Sequence, residues 1–88
     1  MTWTIEYTLH SQKDMRRLSS LNRKRVIDYL ERRVLELDNP RQLGKSLKGE
    51  FSNYWRYRVG DLRIICHIDD GRLIVLVISV GNRREIYR

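Results

Sequence analysis

The stretch NYWRYRVGDLRIICHI, residues 53–68, constrains this chain more than any other. Trp55, Tyr57 and Val59 alternate with Arg56 and Arg58, and after Gly60-Asp61 the alternation resumes with Leu62, Ile64, Cys66 and Ile68 against Arg63, Ile65 and His67. A period of two marks a half-buried strand, and a Gly-Asp pair between two such runs marks a hairpin turn. With Gly60 and Asp61 at the centre of the turn, Val59 faces Leu62, Arg58 faces Arg63 and Arg56 faces Ile65. The bulky apolar side chains then share one face of the hairpin. Arg56, Arg58 and Arg63 share the other.

Placing Arg58 directly across from Arg63 is unfavourable through like-charge repulsion, which a bound anion between them would remove. A solvated outer face of a sheet would carry the same pattern, so the hairpin alone does not decide between the two. The rest of the chain bears on the choice.

Thr2 to Thr8 alternate Trp3, Ile5 and Tyr7 with polar residues and read as a first strand. Ser11 stands three residues before Asp14, a capping-box spacing that predicts a short helix through Met15 and Leu18, ended by Ser19-Ser20. A second helix is expected from about Asn22 to Leu37, carried by Val26, Ile27, Leu30, Val34 and Leu37, and stopped by Asn39-Pro40. Its charged side reads as a solvated face with intrahelical ion pairs. Residues Arg41 to Glu50 form a connection, in which Lys45 and Lys48 are candidates for phosphate contact. After the hairpin, Asp69-Asp70-Gly71 makes a second turn into LIVLVISV, whose two apolar faces predict a central strand covered on both sides. In the tail, Arg83, Glu85 and Tyr87 share one side if the chain is extended, and Arg84 is a further candidate for phosphate contact. The expected fold is α+β, in the order β-α-α-β-β-β. An antiparallel sheet carries both N-terminal helices on its apolar face, with the first strand at an edge.

At 88 residues the chain is expected to form one domain, residues 1–88, with a small core. Its 18 lysines and arginines outnumber 11 acidic residues, giving a net charge of +7 and calling for an anionic partner, either nucleic acid or an acidic protein. The single cysteine, Cys66, falls on the apolar face and reads as a buried thiol in a reducing cytoplasm. No apolar run approaches the roughly 20 residues of a membrane helix, and no leader pattern opens the chain, so a cytoplasmic protein is expected. His10, His67 and Cys66 have no paired metal spacing, and there is neither a phosphate-cradling glycine loop nor a Ser-His-Asp set. Neither metal nor cofactor is expected.

Three segments, LKG (47–49), YWRYRVGDLRII (54–65) and VISVGNRREIY (77–87), resemble the RelE superfamily of toxins from toxin–antitoxin modules. The resemblance implies a RelE-like, microbial-RNase-like fold, an acidic RelB-like antitoxin as partner, and cleavage of messenger RNA in the ribosomal A site. Carried over by position, it makes Arg56, Arg58, Arg63, Arg83 and Tyr87 the catalytic set. Beside the best-known member of that family, the chain has arginines rather than lysines at the first two of these positions and a shorter segment between Gly81 and Tyr87.

Arginines and a tyrosine suit that chemistry. RNA brings its own nucleophile in the 2′-hydroxyl, so cleavage needs in-line positioning, charge stabilisation and two proton transfers. Guanidinium forks supply the stabilisation but stay protonated, so the base must lie elsewhere. Tyr87 is the first candidate, because nearby cations favour its phenolate, and His67 is the alternative. The ParE toxins, which share the architecture and poison DNA gyrase without nuclease activity, are the competing reading. A basic module that binds nucleic acid without cutting it is the third.

Overall fold

The computed structural model describes residues 2–82. Strand β1 (Thr4–Tyr7) leads through the Thr8 N-cap into helix α1 (Leu9–Arg17), and helix α2 (Ser20–Asp28) follows behind the Ser19 cap. The chain continues as a π-helical segment (Tyr29–Val34), then through a two-residue strand β2 (Lys45–Ser46) to β3 (Trp55–Val59), β4 (Leu62–Asp69) and β5 (Ile74–Asn82). The strands form one sheet in the order β1-β5-β4-β3-β2.

The α+β class and the two helices on the apolar face match expectation, but the sheet is mixed rather than antiparallel. Strand β1 runs parallel to β5, pairing Ile5 with Val75 and Tyr7 with Val77. Alternation reports which face a residue occupies and says nothing of strand direction. Among the described residues the sheet has five strands, because Lys45–Ser46 pairs with Arg56 and Trp55 inside the segment expected to be a plain connection.

Both helices start earlier than their sequence signals implied. Thr8, not Ser11, caps α1: its hydroxyl accepts from the Ser11 N–H at 3.1 Å, while the buried Ser11 hydroxyl donates back to the Thr8 carbonyl at 2.9 Å. Along α2 and the π-helical segment that continues it, Val26, Leu30 and Val34 are all fully buried. Residues four apart drift around a regular helix of 3.6 residues per turn. The wider turn, marked by the Leu35 N–H bonding the Leu30 carbonyl at 3.0 Å, offsets that drift and keeps Val34 over the sheet.

Beneath these residues lie Tyr57, Ile64, Cys66, Val75 and Val77, each fully buried. Cys66 is the buried thiol the alternation predicted, and burial pushes its ionisation well above the ordinary thiol range. Strand β5 is central, but its second face is only partly covered: Ile74 is buried, whereas Leu76 is half-buried. Where β1 ends, α1 takes over the bonding of β5. The Thr8 N–H and hydroxyl donate to the Val77 and Ile78 carbonyls at 3.1 and 3.2 Å, and Asp14 Oδ2 accepts the Val80 N–H at 3.0 Å.

Candidate nucleic-acid interface

The hairpin register is the one read from alternation: Val59 with Leu62, Arg58 with Arg63, Arg56 with Ile65. Gly60 has φ +58° and Asp61 does not share that sign, so the positive φ sits at the first central position, as in a type II′ turn. Paired residues share a face, which orders the side chains on the helix-free side into rows. Lys45, Arg56, Ile65 and Ser79 form one row across the sheet, and Arg58, Arg63 and Gly81 form the next. Two cations thus stand in each row. Lys45 and Arg58 are exposed, Arg56 and Arg63 half-buried. Arg63 also donates to the Leu62 carbonyl at 3.4 Å, which restrains its guanidinium near the turn.

Lys45 owes its place to the opposite face. Tyr57, buried among the core side chains, donates its hydroxyl to the Pro40 carbonyl at 2.6 Å, and Trp55 Nε1 donates to the Leu43 carbonyl at 2.7 Å. Those two bonds hold residues 40–43 against β3. Gly44, at φ +76°, then lets the backbone pass so closely that a Cβ there would lie 2.4 Å from the Arg56 carbonyl oxygen. On the far side of that contact Lys45 enters the ladder beside Arg56. A bidentate pair of Arg41 with Asp70, at 2.9 Å for each arm, ties the same segment to the turn between β4 and β5. Arg41 holds the Asp70 carboxyl below the usual carboxylate range, and burial pushes the Tyr57 phenol above its own.

Lys45, Arg56, Arg58 and Arg63 are therefore brought together. Lys48 is exposed and lies past the end of β2, outside these rows. His67 is exposed on the cationic side and pairs with Leu76, but four residues along β4 from Arg63, about 13 Å at strand rise. Arg83, Arg84 and Tyr87 lie outside the described residues. A cleft of about 720 Å³ lies elsewhere: it opens between α1, the start of α2 and the end of β5, with His10 and Asp14, 3.4 Å apart, on its wall.

Sequence reasoning missed the contact made by Asp14 and did not weigh Phe51 or Tyr54 as site residues. Asp14 reaches a backbone 66 residues away, for which no local signal exists. Tyr54 was accessible, because the alternation that places Arg56 and Arg58 extends back to it. Among the described residues no three His, Cys, Asp or Glu side chains converge as metal ligands would. The rows of cations can hold anionic oxygens in two adjacent places.

Residues 5–87 match the family model described as the ParE toxin of the type II toxin–antitoxin system, parDE. Toxin RelG of Mycobacterium tuberculosis is 26% identical over 88 residues, spanning 100% of this chain and 99% of that protein. Toxin RelE of the same organism is 29% identical over 84 residues, spanning 96% and 84%. In three dimensions the chain is similar to one from the RelBE2 toxin–antitoxin complex of Mycobacterium tuberculosis, with a TM-score of 0.85 at 22% identity, covering 97% of this chain and 95% of that one. With nearly its full length matched, the chain belongs to the ParE toxin family of type II toxin–antitoxin systems and is a RelE-type toxin of the RelE/ParE superfamily.

Proposed function

We propose that this toxin is an endoribonuclease, residues 1–88 acting as one domain, that cleaves messenger RNA in the ribosomal A site without a metal ion. One observation carries the reading: the face of the sheet opposite the helices gathers Lys45, Arg56, Arg58 and Arg63 into two adjoining rows. Arg58 and Arg63 flank one phosphate and stabilise the charge that develops as the 2′-oxygen attacks. Lys45 and Arg56 hold the neighbouring phosphate and set the strand in line. Lys48 and Arg84 add looser contacts along the RNA. Arg83 joins the first pair, and Tyr87 accepts the proton. His67 is a weaker base for this phosphate, being about 13 Å along β4 from Arg63.

In the cytoplasm the toxin is held by a RelB-like antitoxin, an acidic partner suited to a chain of net charge +7. The antitoxin covers the cationic face or displaces the 83–87 tail.

Ribosomes programmed with a defined message test the reading. Cleavage should leave a 2′,3′-cyclic or 3′-phosphate end; a 3′-hydroxyl would exclude attack by the 2′-oxygen. Tyr87→Phe should slow single-turnover cleavage by about 10²–10⁴ if Tyr87 is the base, whereas a stacking role alone predicts near-full activity for Phe and loss for Ala. The ParE description of the matching family favours a second reading, poisoning of DNA gyrase. Gyrase-dependent DNA breaks without transcript cleavage would establish that one instead.

A further inference from the structure

The helix-free face of the sheet does not end at its cations. Continued one residue back along β3, the alternation puts Tyr54 on the side of Arg56 and Arg58, and the Leu47 N–H bonding the Tyr54 carbonyl at 3.1 Å keeps that residue in the ladder. The β3–β4 register continued by one pair sets Tyr54 beside the exposed His67. Phe51 is 47% exposed, and its ring lies 6.4 Å from that of Tyr54, centre to centre, with 34° between the planes. Tyr54, Asn53, His67 and Arg41 border a notch of about 300 Å³.

These features do not serve the fold. A phenyl ring left half in water contributes little burial, and the two rings are offset from the core that Tyr57 and Leu30 fill. An exposed phenylalanine and a half-buried tyrosine next to a cationic track are the kind of surface that unpaired nucleic acid binds, since every base has a stacking face and every linkage a charge. The distances fit: Tyr54 is one strand period from Arg56, about 6.7 Å, so a base at the rings and a phosphate at the Lys45–Arg56 row belong to neighbouring nucleotides.

We propose that Phe51 and Tyr54 form a stacking platform for an unpaired RNA base adjacent to the nucleotide held by Lys45 and Arg56, with Asn53 and His67 placed to hydrogen-bond the edge of that base. The ligand rests on the ribonuclease reading. The platform lies two rows from Arg58 and Arg63, so it positions the strand and takes no part in the proton transfers.

Single-turnover cleavage of ribosome-bound messages made abasic at one position at a time tests the platform. In the wild-type protein, one position away from the cut should depend on its base, losing about tenfold or more in rate when the base is removed. Tyr54→Leu and Phe51→Leu should slow the intact message by a similar factor and lose sensitivity at that position alone, the non-additivity of a direct contact. Tyr54→Phe, which keeps the ring, should behave as wild type. Leu variants that keep the wild-type rate, or the full abasic penalty, would overturn the proposal.

A wild-type protein that cuts no message would instead remove the ribonuclease reading. The platform is then judged by affinity for a labelled unpaired oligoribonucleotide, where unchanged binding by both Leu variants overturns it and a loss confined to base-bearing probes supports it. Leu variants that cut normally but no longer bind antitoxin would make the patch a protein-docking surface and overturn the proposal as well.

Discussion

On the helix side of the sheet, Tyr57, Ile64, Cys66, Val75 and Val77 are fully buried beneath Val26, Leu30 and Val34, while on the other side Lys45, Arg58 and His67 stand exposed. The same strands build both sides, and within each strand alternation sets a residue's side, apart from the extra residue Ile78 that shifts the register in β5. The covered side gains from removing apolar surface from water. The opposite side gathers cations in adjacent rows, which favours an anionic ligand. Substitutions on the two sides should therefore separate stability from activity. The effects should also differ in size.

Leu30→Ala, in the middle of the covered side, should produce the largest change. Removing a fully buried Leu from the helical segment packed on the sheet lowers stability by about 2–5 kcal/mol, enough to threaten so small a domain. Urea unfolding would show it as a lower midpoint with little change in slope. Whatever protein remains folded should be as toxic, per molecule, as wild type; lost toxicity in the folded fraction would mean that the helices do more than cover the sheet.

Arg63→Ala should do the reverse. Loss of one preorganised charge donor slows such reactions by about 10²–10³, and the melting temperature should stay near that of wild type. Growth arrest on expression and transcript cleavage in vitro report the activity, and thermal melting reports the fold. A folded Arg63→Ala protein that remained fully toxic would take Arg63 out of the site.

Tyr57→Phe tests the link between the sides. The substitution leaves the Pro40 carbonyl without its 2.6 Å donor, which should lower stability by about 1–3 kcal/mol. It should also slow cleavage modestly, because residues 40–44 place Lys45 beside Arg56. A stability loss with cleavage unchanged would show that Lys45 is positioned by its strand pairing alone.

The hairpin was legible because everything that sets it is local. Two residues of turn and a period of two fix the register from Trp55 to Cys66, including the facing of Arg58 and Arg63. What alternation does not encode was not legible. The parallel direction of β1 follows from where a long connection returns, and a two-residue strand such as Lys45–Ser46 is too short to show a period. Thr8 and Ser11 are equally good cap residues by type, and only the inward turn of the Ser11 hydroxyl separates them. Arg56, Arg58 and Arg63 were read correctly as a face, whereas the place of Lys45 beside them was not legible. The exposure of Phe51 was not legible either, since a ring beside a charged run looks the same in sequence whether it packs inward or stands in water.

The smallest effect should come from Asp70, which joins neither side but braces the segment carrying Lys45 through its two bonds to Arg41. Because that guanidinium depresses the carboxyl's ionisation in the folded state, folding favours the charged form. The resulting stability is present above the carboxyl's unfolded value, about 3.9, and is lost as pH falls through the lower folded value. Asp70 is fully exposed, so solvent and salt screen the pair and the contribution is slight. Melting temperatures of wild type and Asp70→Asn should accordingly differ by a small, constant amount near neutrality and converge below about pH 4, with the gap narrowing in high salt. A gap that persisted unchanged into strong acid would assign the role of Asp70 to the geometry of its turn, where its neighbour Asp69 accepts the Arg72 N–H at 3.1 Å, rather than to its charge.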